Sequence, residues 1–321
     1  MIKSVAIMTS GGDAAGMNPA IKCAVEYSIK KGLQPYLVYD GLTGLIDGNI
    51  QAATILDTAD IIHRGGTVLR SSRSKRFFDY EYRKQAYEHL QRLNIDSLIV
   101  IGGDGSFAAL QQFYKDFGVP FAGIPATIDN DIPCTDYCLG VDTALNVIRQ
   151  SVDSIRDTGR SFSRAFVIEV MGRDCGYLAM ASALACSADI CIAPELPYDL
   201  DAIGERLRKR RDAGERYFSA VVAEGTGMAD YLTRWMSETL NMDARLTTLG
   251  HVQRGGSPTV RDRVMANEFA VAAVESLLAG HTDHICVYNY GNWGYKSIDE
   301  VKSSKVQLGA NLLSLSQGLS K

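Results

Sequence analysis

Short apolar runs alternate along this chain with segments whose apolar residues recur at helical spacing, and glycine-rich turns join one to the next. Residues 98–101 are continuous, apolar and rich in β-branched side chains, the pattern of a strand buried on both faces of a parallel sheet. The turn 102–106 (GGDGS) follows. Ser106 opens a helical segment with Phe107, Leu110, Phe113, Tyr114 and Phe117 on its apolar positions, stopped by Gly118 and Pro120. Residues 121–124 predict the next strand, which runs into 127–131 (TIDND). The amino-terminal part repeats the scheme. Residues 3–9 predict a strand and 10–18 a glycine turn. A helix then has Asn18 as N-cap, Pro19 at its first position, and a close at Lys30, Lys31 and Gly32. Residues 34–39 predict another strand, 40–48 a glycine-bearing loop, and 81–93 an amphipathic helix. Beyond Asp131 the pattern restarts. Helices are predicted at 142–156, 177–185, 199–211 and 261–278, the last returning to the first unit, and strands at 164–170, 190–193 and 218–223.

Composition narrows the class. At 321 residues two domains are favoured, and 46% hydrophobic with 22% charged residues is ordinary for a soluble globular protein. No run approaches the roughly 18 apolar residues of a membrane span, and no basic-then-apolar leader precedes the first strand, so a cytoplasmic protein is expected. Seven cysteines in no metal-ligand spacing read as reduced thiols. A net charge of −4 argues against broad capture of nucleic acid or anionic membrane. An anionic substrate therefore needs local arginines.

Candidate chemistry collects at the turns. Glycine turns between a strand and a helix N-terminus attract phosphate through free amides and the helix dipole. There are two in the first unit, at Gly11 and Gly12 and at Gly102–Gly103. Neither fits the Walker loop or the dinucleotide fingerprint. A carboxylate beside polyphosphate is repulsive unless a cation lies between them, so Asp104 reads as a Mg²⁺ ligand, directly or through water. TIDND puts Asp129 and Asp131 at the carboxyl edge of a strand, where ligands bind in open α/β sheets. Residues 65–76 carry Arg70, Arg73, Lys75 and Arg76, a solvated face or an oxyanion site. A third turn, 171–176, holds Arg173, and Glu224 with Gly225 ends another strand. His251 and Arg254 stand among the glycines of 250–258, whereas His281 and His284, in a polar stretch, read as chemically silent.

With these motifs in view, the chain resembles the bacterial ATP-dependent 6-phosphofructokinases over almost its full length. The match rests on five motifs in order and spacing: 11–18, 102–106, 127–131, 171–173 and 250–257. The resemblance implies transfer of the γ-phosphoryl of MgATP to the 1-hydroxyl of fructose 6-phosphate. It implies that Gly12, Arg73, Ser74, Gly103, Asp104, Gly105 and Ser106 hold ATP and that Asp104 binds Mg²⁺. Asp129 is then the general base, with Thr127 and Asp131 beside it and Arg173 steadying the phosphoryl group. Ile128, Met171, Gly172, Glu224, His251, Val252, Gln253 and Arg254 join Thr127, Asp129 and Arg173 around the sugar phosphate. Arg164 and Arg245 reach the 6-phosphate from a neighbouring subunit of a homotetramer, a dimer of dimers.

The implied fold is α/β: two doubly wound Rossmann-like three-layer domains interleaved in sequence, with the active site in the cleft between them. Residues 1–140 and 252–305 form the nucleotide domain, and 141–251 and 306–321 the sugar-phosphate domain. Diphosphate-using members tend to carry Asp and Lys where this chain has Gly105 and Ala126, which favours ATP. At the regulatory positions Lys22, Glu26, Ile55, Arg156, Glu215, Arg216 and Tyr217, two carboxylates and an isoleucine replace cations, so activation by ADP is expected to be weak or absent. A diphosphate-dependent or different-sugar kinase and a catalytically silent sensor stay open.

Overall fold

The structure is a computed structural model and describes residues 2–321. The chain divides into two units: unit 1 runs up to Thr127 and includes Ile132–Thr143 and Arg254–Lys305, and unit 2 comprises Ile128–Asp131, Ala144–Gln253 and Val306–Lys321.

Unit 1 begins β1 (Ser4–Ser10), α1 (Met17–Lys30), β2 (Gln34–Val38), α2 (Gly41–Asp47), β3 (Ile50–Ala52), α3 (Tyr80–Arg92), β4 (Ser97–Gly102), α4 (Asp104–Phe117) and β5 (Phe121–Pro125). Helix α5 (Val141–Phe162) leads into unit 2, which holds β6 (Ala165–Val170), α6 (Tyr177–Ala185), β7 (Ile190–Ile192), α7 (Leu200–Asp212), β8 (Phe218–Ala223), α8 (Ala229–Leu240) and β9 (Ala244–Thr248). The chain returns to unit 1 with α9 (Val260–Leu278), β10 (His284–Asn289), β11 (Asn292–Ser297) and α10 (Ile298–Ser303), and closes in unit 2 with α11 (Ala310–Gln317).

The sheet of unit 1 has the order β11-β10-β5-β4-β1-β2-β3. Its five inner strands are parallel, and β3 and β11 pair antiparallel at the edges. Every residue of β1 and of β4 is buried, as expected of strands covered on both faces. From β1 the chain moves to β2 on one side, then crosses back to place β4 on the other. The β1/β4 boundary is therefore the switch point at which α/β sheets open a crevice, and Ser10 pairs with Gly102 there. A Cβ on Gly102 would lie 2.3 Å from the Ser10 carbonyl oxygen, so these two strand ends can meet only through glycine. Unit 2 is a four-stranded parallel sheet, β7-β8-β6-β9. Its core joins Val167, Ile192, Ala220 and Val222 to Ile203 and Leu207 of α7 and to Leu232, Met236 and Leu240 of α8. Among the described residues no helix is long and apolar enough to cross a membrane.

The structure corrects several local expectations. Helix α1 starts at Met17 with Gly16 (φ 99°) at its N-cap and no side-chain cap. Asn18 is buried and serves tertiary structure instead: Nδ2 donates to the carbonyls of Arg64 and Gly65, and Oδ1 accepts from the Val68 amide. Residues 41–47, expected in a loop, form α2. Helix α4 starts at Asp104, two residues early, which puts Asp104 and Gly105 in its first turn, and α5 runs on to Phe162. His284 is not in a polar loop but buried in β10. Elements β3, β9, β10, β11, α8, α10 and α11 had not been predicted.

Candidate active site

In unit 2 the segment Ile128–Asp131 and the turns after β6, β7, β8 and β9 converge. Arg173, in the turn after β6, lies 3.3 Å from Asp129 and 3.8 Å from Asp131. Asp129 is buried and Arg173 is half exposed, so the guanidinium covers a carboxylate otherwise shut off from water. Arg173 has φ 51°, in the left-handed region that non-glycine residues seldom adopt. Its amide donates to Glu224 Oε1, 3.0 Å away, in the turn after β8. A Cβ on Gly225 would fall 1.9 Å from the Arg173 carbonyl oxygen, so the two turns close up through glycine. The turn after β9 joins them: Gln253 Oε1 accepts from the Met171 amide at 3.1 Å, and its Nε2 donates to the Gly250 carbonyl. Gln253 is buried with both ends of its amide engaged within the fold. Cys175 donates to the Asn130 carbonyl from the same turn as Arg173, and its thiol is pushed up to about 11, chiefly by burial, with Glu195, Asp131 and Asp129 adding to the rise. Glu195 takes the Gly176 amide on both oxygens. Cys175 lies in the 171–176 turn but was not singled out, and Glu195 carried no motif in the sequence; their contacts arise from turns that meet only in the fold.

Of the remaining sugar-site candidates, Met171 is half-buried and Gly172 buried, His251 and Val252 are exposed, and the Ile128 side chain is fully buried, leaving only its backbone to offer. Arg164 and Arg245 both contact Asp243, at 2.7 and 2.9 Å.

In unit 1 the β1/β4 switch point carries the two glycine turns. Ser106 Oγ donates to Ser10 Oγ at 2.9 Å, and Ser71 Oγ donates to the Gly11 carbonyl at 2.6 Å, which draws the basic segment 65–76 to the first turn. Arg70 pairs with Asp40 and Arg76 with Asp47, whereas Arg73 is exposed and Ser74 half-buried. Arg254 covers the first turn: its Nη1 donates to the Asp13 carbonyl and would stand 2.7 Å from a Cβ on Gly12. No side chain caps α4, so its N-terminus keeps the free amides that favour an anion. A Cβ on Gly103 or Gly105 would meet nothing within 4 Å. Thr127 lies buried in unit 1 beyond β5.

Asp104 is exposed in the first turn of α4, and among the described residues no group of three or more His, Cys, Asp or Glu could cage a metal ion. One exposed carboxylate beside a helix N-terminus with free amides fits Mg²⁺, which keeps much of its water and takes one or two carboxylates together with substrate phosphates. At the positions where the resemblance places regulation, Lys22 pairs with Glu26, Glu215 is engaged by Arg210 at 2.6 Å, Arg156 donates to the Cys186 carbonyl, and Tyr217 is buried.

Comparison with known proteins gives the family. Residues 4–277 match the family model described as phosphofructokinase. The chain is 50% identical over 314 residues to an ATP-dependent 6-phosphofructokinase of Sulfurimonas denitrificans, covering 98% of each. It is 49% identical over 316 residues to one of Wolinella succinogenes, covering 98% of this chain and 99% of the other. Phosphofructokinase of Saccharomyces cerevisiae superposes with a TM-score of 0.88 at 32% identity over 94% of this chain, which spans 44% of the yeast chain. The chain belongs to the phosphofructokinase family.

Proposed function

We infer that the chain is an ATP-dependent 6-phosphofructokinase, transferring the γ-phosphoryl of ATP to the 1-hydroxyl of fructose 6-phosphate to give fructose 1,6-bisphosphate and ADP. The observation that carries the assignment of roles is the meeting of Asp129, Asp131, Arg173 and Glu224 within unit 2. Asp129 takes the proton of the attacking hydroxyl. Arg173, already on that carboxylate, supplies positive charge to the phosphoryl group in flight, and Asp131 keeps the guanidinium near. Glu224 fixes the Arg173 backbone through one oxygen and has a second for a sugar hydroxyl. Met171, Gly172, His251 and Val252 border the sugar, while Gln253, with its amide engaged, shapes the turn. In unit 1 the α4 N-terminus, Gly12, Gly103, Gly105, Ser106, Arg73 and Ser74 hold the nucleotide, and Arg254 adds charge at the first turn.

Phosphoryl transfer needs positioning and charge neutralisation more than covalent help, and these residue types supply both. Asp104 would hold Mg²⁺, whose chemistry is to neutralise phosphate charge. ATP as donor is supported by the relatives' names and by Gly105, where diphosphate users tend to carry Asp. A homotetramer in which Arg164 and Arg245 reach a neighbour's 6-phosphate, and a cytoplasmic location, complete the proposal. The test is product formation from fructose 6-phosphate and Mg²⁺ with either ATP or diphosphate. Turnover with ATP alone is expected; turnover only with diphosphate would replace the donor, and none with either would leave a silent sensor.

A further inference from the structure

Asp243 precedes β9, and Arg164 precedes β6. The two strands are parallel neighbours with Ala165 opposite Ala244, so Asp243 stands opposite Arg164. The two-residue period of a strand puts Arg245 on the face of Asp243. The contacts follow that register: Asp243 Oδ2 accepts from Arg164 Nε at 2.7 Å and Oδ1 lies 2.9 Å from Arg245 Nη2. One carboxylate thus holds two guanidinium groups side by side. All three side chains stay open to solvent, 33%, 44% and 57% exposed for Arg164, Asp243 and Arg245. Arg164 is further steadied against the Phe162 ring, 4.7 Å from its centroid.

We propose that Asp243 is a positioning residue that presets Arg164 and Arg245 as a fork for the dianionic phosphate of a sugar phosphate bound by a second copy of the chain. This rests on the placement of those arginines at the 6-phosphate given above. A free arginine loses much side-chain freedom when it binds an anion, and Asp243 imposes that order beforehand. Its carboxylate takes the stem-side Nε of Arg164 and a single terminal nitrogen of Arg245. Most N–H donors of both groups stay available, and the trio keeps a net positive charge.

The test is steady-state kinetics on Asp243→Asn, Asp243→Ala and Asp243→Glu, with Arg164→Ala/Arg245→Ala as reference. The expected result is a KM for fructose 6-phosphate raised roughly fivefold in the Asn and Ala variants, with kcat changed by less than about twofold and Glu restoring most of the loss. In the double-arginine background Asp243→Asn adds nothing. If the arginine variants raise KM but the Asp243 variants leave it unchanged, positioning is wrong and the arginine placement stands. A lowered KM would instead make Asp243 a competitor of the phosphate. If the arginine variants themselves leave KM unchanged, the placement fails and the proposal with it.

Discussion

Replacing Asp129 by Asn keeps the side-chain shape and removes the charge and the proton acceptor together. Asp129 is 1% exposed with Arg173 Nε 3.3 Å away, and a hydrogen bond to a charged group contributes about 1.5–3 kcal/mol. Arg173 is half exposed and retains Asp131 at 3.8 Å, so solvent and the second carboxylate offset part of the loss and the fold should weaken by about 1–2 kcal/mol. The chemical step loses more. A positioned general base contributes about 10²–10⁴ in rate, or roughly 3–5 kcal/mol of barrier. At saturating MgATP the variant should therefore lose about 10²–10⁴ in kcat while its KM for fructose 6-phosphate stays within about threefold. Asp131→Asn is the internal control, because Asp131 is more exposed and farther from the same guanidinium; its kcat should fall less than about tenfold. A coupled assay of ADP release gives both constants, and a thermal melt confirms folding. Asp129→Asn retaining more than roughly a tenth of wild-type kcat, or Asp131→Asn losing as much, would refute the assignment of the base.

Gly105→Asp should fold normally, since a Cβ there meets nothing within 4 Å, yet kcat/KM for ATP should fall about tenfold or more because a carboxylate beside the phosphates repels them; an unchanged value would show that residue 105 does not face the donor. Millimolar ADP should leave the fructose 6-phosphate saturation curve unaltered, because Glu26 and Glu215 are paired with Lys22 and Arg210; a steep curve made hyperbolic by ADP would contradict this. His284 is pushed down from 6.5 to about 4, by burial first and His281 second, so between those values the unfolded chain binds more protons. Stability is then fully present above pH 6.5 and falls, by on the order of 2–3 kcal/mol, as pH drops toward 4. Denaturant melts across that window should show the slope in the wild type and a shallower one in His284→Gln; equal slopes would remove His284 as its source.

Much of this was legible along the chain because its signals are local. Strands β1, β4 and β8 are wholly buried and each holds a continuous apolar run of four residues. The glycine turns at 11–12, 102–103, 171–176 and 224–227 mark the strand ends where the site residues gather. What stayed hidden depends on contacts distant in sequence. Asn18 looks like a helix cap but is taken up by a loop some fifty residues on, and burial outweighs capping. Asp243 looks like a surface acid until register sets it opposite Arg164. Strand β11 has no fully buried position and leaves no apolar run to read. Two elements were readable and missed: helix α8, whose Ala229, Leu232, Met236 and Leu240 carry its spacing openly, and β10, whose Ile285–Tyr288 run is apolar.

The account depends most on where the phosphoryl group goes. Phosphorus NMR of the product made by the purified chain from ATP, Mg²⁺ and fructose 6-phosphate should show one new phosphate monoester on C1, with ADP formed in equal amount. A monoester on another carbon, or ADP formed without a sugar bisphosphate, would contradict it.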